Sequence, residues 1–201
     1  MMLFKKILLK ILRPTKTKNV LAALLKKGNI QFGSNCIFES AYIEILHTEK
    51  NCNNIIIGNN CNIMGSLSIY AKNAKIIIGD GVFIGPGTKV ICYDEIRIEN
   101  DVMISWDCTI MDTNSHSLKS KERQNDVLDW NKGFAFKDWS NVEYKKIHIN
   151  EKSWVGFKSI ILKGVILGKG TIVASGSVVT KNTDDYTIIG GNPARFLKNT
   201  E

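Results

Sequence analysis

Few side chains in this 201-residue chain could do acid–base or metal chemistry. They are three histidines (His47, His116 and His148) and five cysteines (Cys36, Cys52, Cys61, Cys92 and Cys108). The histidines stand 69 and 32 residues apart, a spacing that supplies no compact zinc-binding set. The cysteines form no CxxC pair and are odd in number, which suggests neither a zinc site nor a disulfide framework. A reducing cytoplasm fits such cysteines best. Imidazole exchanges protons near neutral pH, and one of the three sits in an unusual setting. His116 lies in the string DTNSHS, where the surrounding pattern calls for an aliphatic residue. His47 falls in an irregular stretch and His148 inside the strand-like KIHIN.

The pattern that His116 interrupts has a period of six. Ile149, Val155, Ile161, Leu167, Val173 and Val179 follow one another at that step, and Ser153, Ser159, Val165, Thr171 and Ser177 recur two places ahead of the next aliphatic. The period also runs through Ile57, Ile63 and Ile69, then Ile78, Ile84, Val90 and Ile96, and after a two-residue slip through Ile98, Ile104 and Ile110. Eighteen residues then make three short strands joined by tight corners, one turn of a triangular solenoid. Helices would need a period near 3.6 and a meander a period of two. The aliphatics should point inward, small residues and glycines should serve the corners, and Cys61 and Cys108 fall at small inward positions as structural thiols.

After Ile110 the period stops until about Ile147. An excursion of this length is usually functional. Residues 112–146 contain His116, Trp130, Phe134, Phe136, Trp139 and Tyr144, aromatics that could pack the loop onto the solenoid, wall an acceptor pocket, or both.

Charge is distributed unevenly. Of 27 Lys and Arg, eight lie in residues 1–27, and the first acid is Glu39; the remainder of the chain carries 19 cations against 19 acids. A neutral body argues against nucleic-acid binding. No apolar run reaches the ~20 residues of a membrane span, and no small-residue cleavage site follows the start.

The repeats, with ISWDCTIMDTNSHS (104–117), SWVGFKSIILKGVILGKGTIVASGSVVTK (153–181) and IGGNPARFLK (189–198), resemble the hexapeptide-repeat acyltransferases. The nearest branch is that of the maltose/galactoside O-acetyltransferase-like proteins of O-antigen and capsule synthesis. The resemblance covers about residues 55–198. It implies an all-β fold, a left-handed parallel β-helix, a homotrimer, and acetyl-CoA in the groove between subunits, with no metal required. It makes His116 the general base that takes the proton of a sugar hydroxyl attacking the thioester. Asp112 is the chosen orienting partner, ahead of Asn114 or a main-chain carbonyl. By family position Trp154, Gly156 and Phe157 flank the pantetheine arm and Ser175 offers backbone contacts. Thr180 and Lys181 face the nucleotide, and Arg195 with Lys198 reach phosphate or adenine. The seven cations and two acids between Lys152 and Lys198 suit those phosphates. Gly85 stands where the sugar acetyltransferases often carry an acceptor-binding Asn, which puts the family's acceptor contacts in question. Trp106 is a second candidate acceptor contact.

The chain thus divides into a basic amphipathic helical segment (1–28), a β-helix domain (29–198) with its excursion at 112–146, and a tail (199–201). In residues 3–12, Leu3, Phe4, Ile7, Leu8, Ile11 and Leu12 share one side of a predicted helix that Pro14 stops; a second helix is expected over 19–27. These helices would cap the open solenoid or, through residues 1–13, lie on the inner face of an anionic membrane. Three functions follow: O-acetylation of a sugar, N-acetylation of a nucleotide-linked amino sugar, or a non-catalytic solenoid scaffold. A γ-type carbonic anhydrase is disfavoured by the scattered histidines.

Overall fold

The computed structural model describes residue 23 and residues 25–46, 51–133 and 136–200. The predicted helix over 3–12, most of that over 19–27, His47 and Phe134 lie outside them. Residues 25–27 are helical, Leu25 packs on the core, and Gly28 closes the turn with its N–H on the Leu25 carbonyl.

Among the described residues, eighteen short strands stack as three parallel sheets, forming a triangular β-helix, and one terminal strand runs antiparallel. The first sheet contains β1 (Ile30–Phe32), β3 (Ile55–Ile57), β6 (Lys75–Ile78), β9 (Glu95–Ile98), β12 (Ile147–Ile149) and β15 (Ile166–Leu167). The second includes β7 (Phe83–Ile84), β10 (Met103–Ile104), β13 (Trp154–Val155), β16 (Ile172–Val173) and β18 (Thr187–Gly191). The third includes β8 (Lys89–Cys92), β11 (Thr109–Met111), β14 (Ile160–Leu162) and β17 (Val178–Val179).

The six-residue columns are the core. Ile63, Ile84, Ile104, Val155, Val173 and Ile189 pair in consecutive register down one sheet. Leu67, Val90, Ile110, Ile161 and Val179 do so down another. Each buries its side chain, a gain of about 1.5–3 kcal/mol apiece. The solenoid also reaches above the aliphatic period. Ile30 pairs Ile55, and Ile37 bridges Asn62, so Phe32 and Phe38 continue the inward columns with aromatic rings in edge contact. A search for aliphatics alone passes over that coil.

The corners depend less on glycine than the sequence suggested. The residue ahead of each small inward position has positive φ, yet it is Asn60, Asp101, Asp107, Lys152 or Lys158 as often as Gly81, Gly87, Gly170 or Gly176. Asn and Asp tolerate this region because their short side chains bond locally. The small residues are polar for a specific reason. Ser153 Oγ donates to the Gly168 carbonyl (3.0 Å), Ser159 Oγ to Ala174 (3.1 Å) and Thr171 Oγ1 to Asp184 (3.0 Å), so each satisfies a corner carbonyl of a later coil. Cys61 and Cys108 make the same contacts through sulfur, to Gly79 and Gly156.

At Thr88 the hydroxyl does both tasks, donating to the Ser105 carbonyl (2.6 Å) and accepting from the Cys108 N–H (3.0 Å) while fully buried. Thr88→Val keeps the shape and orphans both groups. Urea unfolding should show a loss of about 1–3 kcal/mol at unchanged slope.

Candidate active site

The excursion leaves and returns at one point. Thr113 and Tyr144 form an isolated antiparallel bridge, the Asn114 N–H reaches the Glu143 carbonyl (2.9 Å), and the Lys145 N–H reaches Asp112 (2.8 Å). The prism below and above stays in register, with β11 on β14 and β9 on β12. The described residues of the loop include two short helices, α1 (Ser120–Arg123) and α2 (Asp126–Lys132).

Its aromatics mostly fasten it down. Trp139 stacks on Tyr93 (4.7 Å between centroids) and lies near Tyr70, while Tyr144 also meets Tyr93, tilted, at 4.9 Å. Trp130 meets the His116 ring edge-on at 5.2 Å. Phe136 lines a cavity of about 500 Å³ beside Asp126, together with Glu122, Asp129 and Asp138.

His116 is about one-third exposed, and its Nδ1 is hydrogen-bonded to Asp126 Oδ2. A carboxylate at Nδ1 makes that nitrogen the protonated one and leaves the Nε2 lone pair for an incoming proton. Asp126 is nearly buried and its Oδ1 holds the ammonium of Lys137 at 2.6 Å. Burial alone would raise this carboxyl, but the hydrogen bond from His116 and the ion pair with Lys137 outweigh it and hold it below the usual carboxylate range.

Asp112, the expected orienting partner, is not in that role. Its fully buried carboxylate accepts the backbone N–H groups of Tyr93 (2.7 Å) and Asp94 (2.8 Å). Burial pushes its carboxyl up, against those hydrogen bonds. It ties the corner of one coil to the corner of the previous one. Asp126 lies ten residues beyond His116 with no period to mark it, so spacing could not have selected it. The string FKDW, a lysine between aromatics, was the available signal that Lys137 is interior.

The other predicted residues fall at two corners. Trp106, Gly156, Phe157 and Ser175 lie between the second and third sheets, and Trp154 precedes them in β13. Trp106 and Phe157 stack nearly parallel at 5.4 Å, and the Trp154 Nε1–H donates to Ser105 Oγ (3.1 Å). A Cβ on Gly156 would come 2.7 Å from Ser175 N, so only glycine fits there. Gly85 has the same explanation, with a Cβ 2.8 Å from the Ser105 carbonyl carbon. Thr180 and Lys181 lie at the next corner, the one from which the loop departs. Lys181 and Arg195 share a groove of about 260 Å³ where β19 (Ala194–Asn199) folds back on β18; Lys198 is exposed farther along β19. Among the described residues no group of three or more His, Cys, Asp or Glu is placed to hold a metal ion.

Known proteins share this architecture. The chain is 26% identical over 165 residues to a probable acetyltransferase of Mycobacterium tuberculosis, covering 82% of itself and 50% of that relative. It is 28% identical over 137 residues to the galactoside O-acetyltransferase of Lactococcus lactis, covering 68% and 59%. It therefore spans only half to three-fifths of the length of these relatives. The polySia-specific acetyltransferase NeuO superimposes with a TM-score of 0.61 at 26% identity, over 85% of this chain and 70% of that one. AntD, an N-acyltransferase of Bacillus cereus solved with dTDP and 3-hydroxybutyryl-CoA, matches in fold with a TM-score of 0.66 at 23% identity, over 90% and 88%. No family profile matches the chain. The prism is thus the fold of solved acyltransferases, and in sequence the chain is similar to acetyltransferases, O-acetyltransferases among them.

The Asp126 link gives a pH prediction. A carboxylate held low in the fold contributes stability that is complete above its unfolded value, about 3.9, and is lost as pH falls through the depressed folded value. The near-ultraviolet circular dichroism of the loop tryptophans should stay native from pH 7 to about pH 4 and be lost only below it. Asp126→Asn should reduce that signal already at pH 7. A transition of the parent above pH 5 would contradict the assignment.

Proposed function

We propose that this chain transfers the acetyl group of acetyl-CoA to a hydroxyl of a sugar used in surface-polysaccharide synthesis, with His116 as general base. The observation that carries the reading is the ring of His116, oriented by Asp126 through Nδ1 with Nε2 available at the surface of the excursion. A sugar hydroxyl is a poor nucleophile near neutral pH. Nε2 takes its proton as the oxygen attacks the thioester carbonyl carbon. The tetrahedral oxyanion requires a preorganised donor, for which a corner backbone N–H is the simplest source. Collapse expels the coenzyme thiolate, and the imidazolium returns the proton to it. No acyl-enzyme is needed.

The coenzyme set supports a homotrimer. Within one chain, Phe157 and Ser175 sit at the corner before β14 and β17, with Trp154 beside that corner in β13, whereas His116 follows β11. A three-residue strand, about 10 Å long, separates them. Packing copies side by side brings one subunit's base corner against its neighbour's aromatic flank, with Lys181 and Arg195 directed at the phosphates. Residues 1–13 supply a contact with an anionic membrane surface on the cytoplasmic side, where the sugar acceptor would be met. No helix among the described residues is long and apolar enough to cross a membrane.

His116→Ala should reduce thiol release from acetyl-CoA by about 10²–10⁴-fold in the presence of an acceptor sugar, with coenzyme affinity by calorimetry unchanged. Mixed assemblies of His116→Ala and Trp154→Ala chains should recover part of the lost rate. Retained activity in His116→Ala would refute the base. Turnover only with amino sugars would move the reaction to N-acetylation, and no turnover with any sugar class would favour a scaffold. The membrane contact predicts co-sedimentation with anionic vesicles that salt weakens; association unchanged on deleting residues 1–13 would dismiss it.

A further inference from the structure

Lys137 is a buried charge that proton transfer at His116 does not itself use. Its ammonium side chain is 1% exposed. It lies 2.6 Å from Asp126 Oδ1, and 5.7 Å and 5.2 Å from the ring centroids of Trp130 and Trp139. The second oxygen of the same carboxylate takes His116 Nδ1. Ammonium, carboxylate and imidazole therefore form a line, with only the imidazole end opening to solvent.

Burying a lysine is costly unless it is paired, and an aliphatic side chain would have served the loop's packing alone. The line makes sense for a base. A carboxylate by itself beside an imidazole favours the imidazolium, which has no lone pair left to accept a proton. An ammonium on the far side of that carboxylate cancels most of the pull. It leaves intact the hydrogen bond that selects the tautomer.

Other charges near the line have partners of their own. Glu122 accepts from Ser117 and Lys119, Arg123 donates to the Ser117 and Leu118 carbonyls, and Asp129 pairs with Lys132. Asp138 accepts the Ser140 N–H. From the solenoid, Tyr70 and Tyr93 present rings, and the Asp112 carboxylate is turned to backbone N–H groups.

We propose that Lys137 is a positioning residue, which clamps Asp126 and neutralises its charge so that His116 is held as an uncharged base with Nε2 free. This rests on the base role proposed above, and its test does not depend on acetyl transfer. The full chain is titrated by NMR at the imidazole Cε1–H, the His116 signal being the one absent in His116→Ala. In Lys137→Met the pH midpoint of that signal should rise by about one unit, while Lys137→Arg stays within a few tenths of the parent. Lys137→Gln keeps a donor for Asp126 Oδ1 without the charge. It should rise as Lys137→Met does, and it covers the case in which the methionine variant does not fold. An unchanged midpoint in either folded neutral variant overturns the proposal. A raised midpoint in a protein whose activity survives His116→Ala would instead overturn the base role and leave the action of Lys137 on the ring standing.

Discussion

Every coil of this prism must present its backbone donors and acceptors to the coils on either side at the hydrogen-bonding spacing of a parallel sheet. That constraint sets the six-residue edge, because only edges of equal length keep three sheets in register at once. It also explains the corners. A corner must reverse direction without leaving carbonyls unpaired in the interior, so a left-handed residue is followed by a small one whose hydroxyl or thiol reaches the next coil. Thr88, Ser153, Ser159 and Thr171 are part of the backbone's hydrogen-bond accounting rather than fillers of space.

The same constraint decides where an extra segment can be added. An insertion within an edge would break the register of the columns. An insertion at a corner costs little if its ends are drawn together, since closing even a long loop carries a modest entropic penalty. The excursion meets that condition through the Thr113–Tyr144 bridge, and Asp112 fastens the same corner to the coil beneath. The rigid solenoid supplies the platform, with Tyr70 and Tyr93 as the surface on which Trp139 sits. The loop is then free to hold polar and charged groups that the repeats cannot.

Within the loop the interactions are of another kind. Few residues are packed aliphatics; the centre is an ion pair between Asp126 and Lys137 with tryptophan rings over the ammonium. Breaking a buried pair from one side costs more than the pair itself contributes. The pair therefore acts less as a source of stability than as a device holding one geometry, and His116 is fixed at its outer end. The aromatic flank of Trp106, Trp154 and Phe157 sits one strand away, on a different corner. A fold built from repeats separates the residues of different corners by whole edges, so within one chain the His116 ring and this aromatic flank stay apart.

The sequence alone determined the prism, the inward columns, the position of the excursion and the histidine at its mouth. Each of these is a matter of period or of its interruption, and periodic hydrophobicity maps directly onto which side chains leave water. It missed the first coil as a repeat because Phe32 and Phe38 hold the step with rings in place of aliphatic chains. Only the tertiary structure decided which acid serves His116. Asp112 is nearer in sequence, but its carboxylate is taken by the N–H groups of Tyr93 and Asp94 in the previous coil, a contact eighteen and nineteen residues away. Asp126 and Lys137 come together through the path of an aperiodic loop, where partners are chosen by burial and charge pairing. Such choices leave no spacing in the sequence to read.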